Sequence, residues 1–181
     1  MPDSHLARIH AVLPGLQAQH PGRDWLLLFV GAERSEAWLC APAAQSPSRH
    51  MLPLGYAQLA AQHMPNSAIN GSQLERVIET VEDVIMPLSR QWPAATAQRT
   101  LAASAAPLPA LAGLLPERDD MFYSLEELEQ LFNRFADAAM GSRSAAMALA
   151  PAEAVCLTLL RECMHHWGCH SLVLLPPQAD V

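Results

Sequence analysis

Residues 163–170 read CMHHWGCH and hold two cysteines and three histidines. Thiolate and imidazole are donors that zinc, copper and nickel accept. Cys163 and His166 are three residues apart, so on a helix both face one side of the last turn. Gly168 can fold the chain back and bring Cys169 or His170 round to the same point. That spacing describes a metal site made of Cys163, His166, Cys169 and His170, with His165 as the alternative to His166 and His63 or Cys40 as a remote ligand. Zinc is the default ion.

The same residues support two other readings. Cys156, Leu157, Leu160, Cys163, Met164 and Trp167 fall in one apolar arc of a helical wheel, where free cysteines behave as small hydrophobes. The histidines then sit where a helix C-terminus favours them electrostatically, and no cofactor is needed. Alternatively, Cys169 stands between Gly168 and His170 and could serve as a nucleophile beside a base. A helix C-terminus works against that role, because it disfavours the thiolate.

Other groups read more plainly. Glu75, Glu79 and Glu82 lie on one helix face and could meet a divalent cation, but a solvated acidic face explains them. Asp119 and Asp120 read as turn residues. The chain has no G-x-G-x-x-G, P-loop, G-x-S-x-G, H-E-x-x-H or C-x-x-C motif, which lowers the standing of the common nucleotide-binding and hydrolytic classes.

The elements that must position these groups are set by composition and pattern. The chain has 181 residues, 51% of them hydrophobic and 16% charged, which describes a globular domain with an apolar surface suited to self-association. All 11 basic residues are arginine, so Schiff-base lysine chemistry is excluded. Arginine without lysine, with abundant alanine, is the composition of a GC-rich bacterial gene. A net charge of −7 argues against nucleic acid and anionic membranes as partners. The N-terminus lacks the basic start and apolar run of a signal peptide, so the expected compartment is the cytoplasm, with free thiols.

Leu6, Ile9, Leu13 and Leu16 recur at helical spacing, with Asp3 or Ser4 as a cap and Pro14 expected to bend or end the helix early. Residues 25–30 and 37–41 read as a hairpin, the first strand apolar throughout and so central. Residues 42–54 read as loop, and Tyr56 to His63 as a short helix. A longer amphipathic helix follows, with a capping box at Ser72 and Glu75 and an end near Pro87. Residues 92–117 read as an Ala/Pro-rich flexible connection with a short helix near 108–115. A second capping box, Ser124 and Glu127, opens a helix that Gly141 closes. The last helix starts near Pro151 and ends at Gly168, before a strand at 171–175.

These elements predict a single α+β domain over residues 1–181, mainly helical, with four or five helices and a small sheet of about three strands. The functional expectation is a non-catalytic interaction or accessory protein that forms a homodimer. A Cys/His metal-binding protein and a small cysteine-dependent enzyme are the alternatives.

Overall fold

The computed structural model describes residues 4–40, 47–66, 68–92, 98–142 and 147–177. The Asp3 cap, the side chain of Leu6 and residues 93–97 of the expected connection lie outside them. In chain order the elements are α1 (Ser4–Gln19), β1 (Asp24–Val30), β2 (Ser35–Cys40), β3 (Ser48–Leu52), α2 (Tyr56–His63), α3 (Gly71–Ser89), β4 (Arg99–Ala105), α4 (Leu108–Ala112), β5 (Phe122–Ser124), α5 (Leu125–Ala139), α6 (Pro151–His166) and β6 (Cys169–Leu174).

The strands form one six-stranded mixed sheet in the order β3-β2-β1-β4-β6-β5. β1, β4 and β6 are mutually parallel; β2, β3 and β5 run antiparallel to their neighbours. The expected three-strand sheet is therefore corrected to six strands. The missed strands carry little of the usual signal. β3 is the polar edge segment SRHML, inside what reads as loop. β4 is RTLAASA, in which four of the seven residues are Ala or Ser with low strand propensity, yet all seven are buried between β1 and β6. The connection expected over 92–117 thus contains a central strand.

Strand periodicity divides the core in two. Leu26, Leu28, Leu101, Ala103, Leu172 and Leu174 face the layer of α2, α3, α5 and α6. Trp25, Leu27, Phe29, Ala102 and Val173 face α1 through Ile9 and Leu16. Each fully buried leucine contributes about 1.5–3 kcal/mol of transfer free energy. β1 is buried along its whole length, as its unbroken apolar run predicts.

Helix ends follow local chemistry with two revisions. The α5 box holds as predicted: the Glu127 N–H donates to Ser124 Oγ over 3.2 Å, and the Ser124 N–H donates to Glu127 Oε2 over 2.8 Å. Gly141, at φ 84°, ends that helix in a Schellman motif, with Ser142 N–H on Asp137 O and Gly141 N–H on Ala138 O. The α3 box, however, is Asn70 with Gln73, whose side-chain oxygens each accept the other's backbone N–H. Ser72 and Glu75 fall inside the first turns. Pro14 does not stop α1, which runs on to Gln19.

Candidate functional site

α6 is the centre of the helical layer. Residues 154–160 and 162–164 are all buried, so no face of it is free for solvent along most of its length. Cys156 and Cys163 lie in the core, as the apolar arc predicts. Cys169 opens β6 and is also fully buried, while His170, next along the strand, is exposed. Burial pushes the Cys169 thiol up to about 12, an effect the Arg99 guanidinium partly opposes. Burial raises Cys163 well above the ordinary thiol value, with the neighbouring Cys169 and Glu162 adding to it. A nucleophilic Cys169 is therefore corrected to a protonated core thiol.

The remote ligands considered with this cluster are placed elsewhere. Cys40 belongs to the α1 side of the sheet, whereas Cys163 and Cys169 belong to the other side. His63 Nε2 lies 3.2 Å from Thr80 Oγ1. His166 turns away from the cysteines and toward α3, where its Nε2 lies 3.0 Å from Glu82 Oε1. One helical turn before it, Glu162 Oε2 is 3.6 Å from the same nitrogen. Among the described residues, Glu82, Glu162 and His166 form a group whose donor atoms all lie within 4.8 Å of one another. Glu162 escapes a sequence reading because it is one carboxylate inside an apolar run; that incongruity was the signal available.

A second polar feature lies at the opposite edge of the sheet. β1 ends at Val30, and the turn Gly31-Ala32-Glu33-Arg34 leads into β2. The Gly31 N–H donates to Arg34 O over 3.0 Å and closes the turn. The N-terminus of α2 is set directly against it: the Tyr56 N–H donates to Gly31 O, and the Ala57 and Gln58 N–H groups both donate to Ala32 O, each over 3.0 Å. The turn carbonyls thus cap α2, and the helix fixes the turn. Glu33 and Arg34 are exposed, and neither forms an ion pair with another described residue. They open onto a groove of about 840 Å³ that Met51, Leu52, Pro53, Ala57 and Gln58 complete.

The position of this turn matters because of the strand order. From β1 the chain goes to one side through β2 and β3, and returns through α2 and α3 to β4 on the other side. The C-terminal ends of β1 and β4 therefore flank a point where the topology reverses, while the groove itself lies on the β2 and β3 side of β1, lined by the turn, the end of β3 and the start of α2. Sequence reasoning treated GAERSE as a hairpin loop only, since a four-residue turn carries no marker of what stands beside it.

No family model and no curated protein matches the sequence. Solved structures do resemble the fold. A type II variant of the Aquifex aeolicus Ppx/GppA phosphatase aligns with a TM-score of 0.65 at 14% identity, over 92% of this chain and 56% of that one. An exopolyphosphatase from Cytophaga hutchinsonii aligns with a TM-score of 0.63 at 13% identity, over 91% of this chain and 57% of that one. An exopolyphosphatase-like protein gives 0.59 at 14% identity, over 84% and 55%. At such identities the likeness concerns the fold, and the chain spans little more than half the length of these structures. It corrects the expectation of a non-catalytic accessory protein, since the solved structures that share this fold are phosphatases. No helix of the described residues is long and apolar enough to cross a membrane.

Proposed function

We propose that the chain is a phosphatase-type domain that receives the terminal phosphate of a phosphoanhydride at the Gly31–Arg34 turn. The observation that carries this reading is the exposed Glu33–Arg34 pair, free of ion-pair partners among the described residues, on a hydrogen-bonded turn that follows the C-terminal end of β1 and opens onto the groove. Arg34 supplies a planar cation that can take two phosphate oxygens at once. Glu33 supplies a carboxylate that can hold the attacking water and accept its proton. Phosphoryl transfer asks mainly for positioning and charge stabilisation, which a fixed turn provides.

The fold likeness to phosphatases supports the reaction class. The net charge of −7 favours a compact substrate such as pyrophosphate or a nucleoside triphosphate over a long polyanion. The groove is open to solvent, and a facing wall would enclose the substrate. A second copy of the chain is the economical source, acting in the cytosol, and size-exclusion chromatography with light scattering reads that assembly.

The test is phosphate release from pyrophosphate and from nucleoside triphosphates, beside calorimetric binding of pyrophosphate. Arg34→Ala should lower kcat/KM by about 10²–10³-fold. Glu33→Gln should lower kcat by about 10²–10⁴-fold with little change in binding. Absence of both phosphate release and pyrophosphate binding in the unaltered chain would overturn the reading.

A further inference from the structure

We infer that Glu82, Glu162 and His166 form a binding site for a first-row divalent metal ion, zinc above all, that clamps α3 to α6. The site stands apart from the phosphate turn. His166 ends α6, and Trp167 leads into β6 beside the start of β4, where Arg99 Nη1 donates to Trp167 O over 2.9 Å. That is the N-terminal edge of the parallel strands, opposite the end of β1.

Glu162 is the observation that asks for an ion. Its side chain has no exposure. Oε1 accepts from Arg161 Nη1 over 2.6 Å, but Oε2 has no hydrogen-bond partner. A buried carboxylate oxygen without a partner is strongly unfavourable. It points to His166 Nε2, 3.6 Å away, and that nitrogen in turn lies 3.0 Å from Glu82 Oε1.

The spacing suits a metal. Zinc binds imidazole nitrogen and carboxylate oxygen at about 2.0–2.2 Å, so neighbouring donors of a tetrahedral site stand about 3.3–3.6 Å apart. His166 Nε2 stands 3.0 Å from Glu82 Oε1 and 3.6 Å from Glu162 Oε2, and the donor atoms of all three side chains lie within 4.8 Å of one another, so small side-chain shifts bring them to that spacing. An ion seated among them would replace the Glu82–His166 contact and occupy the free lone pairs of Glu162. One imidazole with two carboxylates suits zinc, manganese or iron, whereas calcium and magnesium prefer larger all-oxygen shells. The Glu162–His166 pair is preset by its i,i+4 helical spacing, and Arg161 on Glu162 Oε1 holds the second oxygen toward the site. The His166 and Glu82 side chains are 19% and 35% exposed, so an ion has a path from solvent and water can complete its shell.

The full chain, stripped of metal, is titrated with Zn²⁺ by calorimetry and with Co²⁺ by visible absorption, and its melting temperature is read with and without Zn²⁺. We expect a single ion per chain, a Co²⁺ spectrum without thiolate charge-transfer absorption, and a rise in melting temperature of about 5–10 °C at an ion concentration about a hundred times Kd. Glu162→Gln should abolish all three responses. Glu82→Gln, at a half-exposed position that leaves folding intact, should weaken binding about tenfold or more, and Glu79→Gln should leave it unchanged. No binding, binding equal in every variant, or a thiolate band in the Co²⁺ spectrum would each overturn the assignment.

Discussion

Gly55 lies directly beneath the backbone of Glu33, so close that a Cβ on the glycine would overlap the main chain of Ala32 and Glu33. This contact joins the start of α2 to the turn that presents Glu33 and Arg34. The glycine is required here for space, since its φ of −121° is open to any residue.

Gly55→Ala should therefore act on stability and on the turn together. The clash is with backbone, which cannot rotate away, and overpacking of this kind costs about 1–3 kcal/mol, at times more. Urea unfolding should show that loss, and pyrophosphate binding should weaken with it. An unchanged urea midpoint would mean that α2 and the turn can separate freely, and that the turn is not fixed by the helix.

The four cysteines should be inert in the native chain. All are free and buried. Burial pushes Cys40 and Cys169 up to about 12 and raises Cys156 and Cys163 as well. Raised folded-state values keep the protonated form, so the stability they contribute is whole below the ordinary value of 9.0 and is lost as pH rises toward about 12. A thiol-specific dye at neutral pH should react only as fast as the chain unfolds, and denaturant midpoints should fall steeply above about pH 9. With no lysine in the chain, few other groups titrate in that window. Rapid labelling of Cys169 alone would contradict the buried placement.

His50 should report acidification through Trp92. The Trp92 Nε1–H donates to His50 Nε2 over 3.2 Å, and Trp92 also meets Trp167 edge-on with ring centroids 4.7 Å apart. Desolvation lowers the His50 pKa below 6.5. A lowered folded value means the neutral imidazole's contribution is complete above 6.5 and is lost as pH falls through the folded value. A protonated His50 no longer accepts, so tryptophan fluorescence should step with a midpoint below pH 6.5, and Trp92→Phe should remove the step. A midpoint at or above that pH would show that the bond does not govern the titration.

Much of this protein was written locally. The apolar run of β1, the Ser124–Glu127 box, Pro151 at the start of α6 and Gly168 after its end all act within a few residues, and each is found where its chemistry implies. The burial of Cys156 and Cys163 also follows from one helical wheel.

The sheet was a different matter. β4 ends in a run of Ala and Ser, and its place between β1 and β6 depends on two neighbours far away in sequence, so no local period announces it. The sites were hidden for the same reason. Glu82 and His166 are 84 residues apart, and only the crossing of α3 with α6 brings them together. Gly55 and Glu33 meet only because α2 returns over the end of β1. Spacing along a chain fixes which side chains share a face; which faces meet is decided by how the apolar layers close, and that is a property of the whole fold.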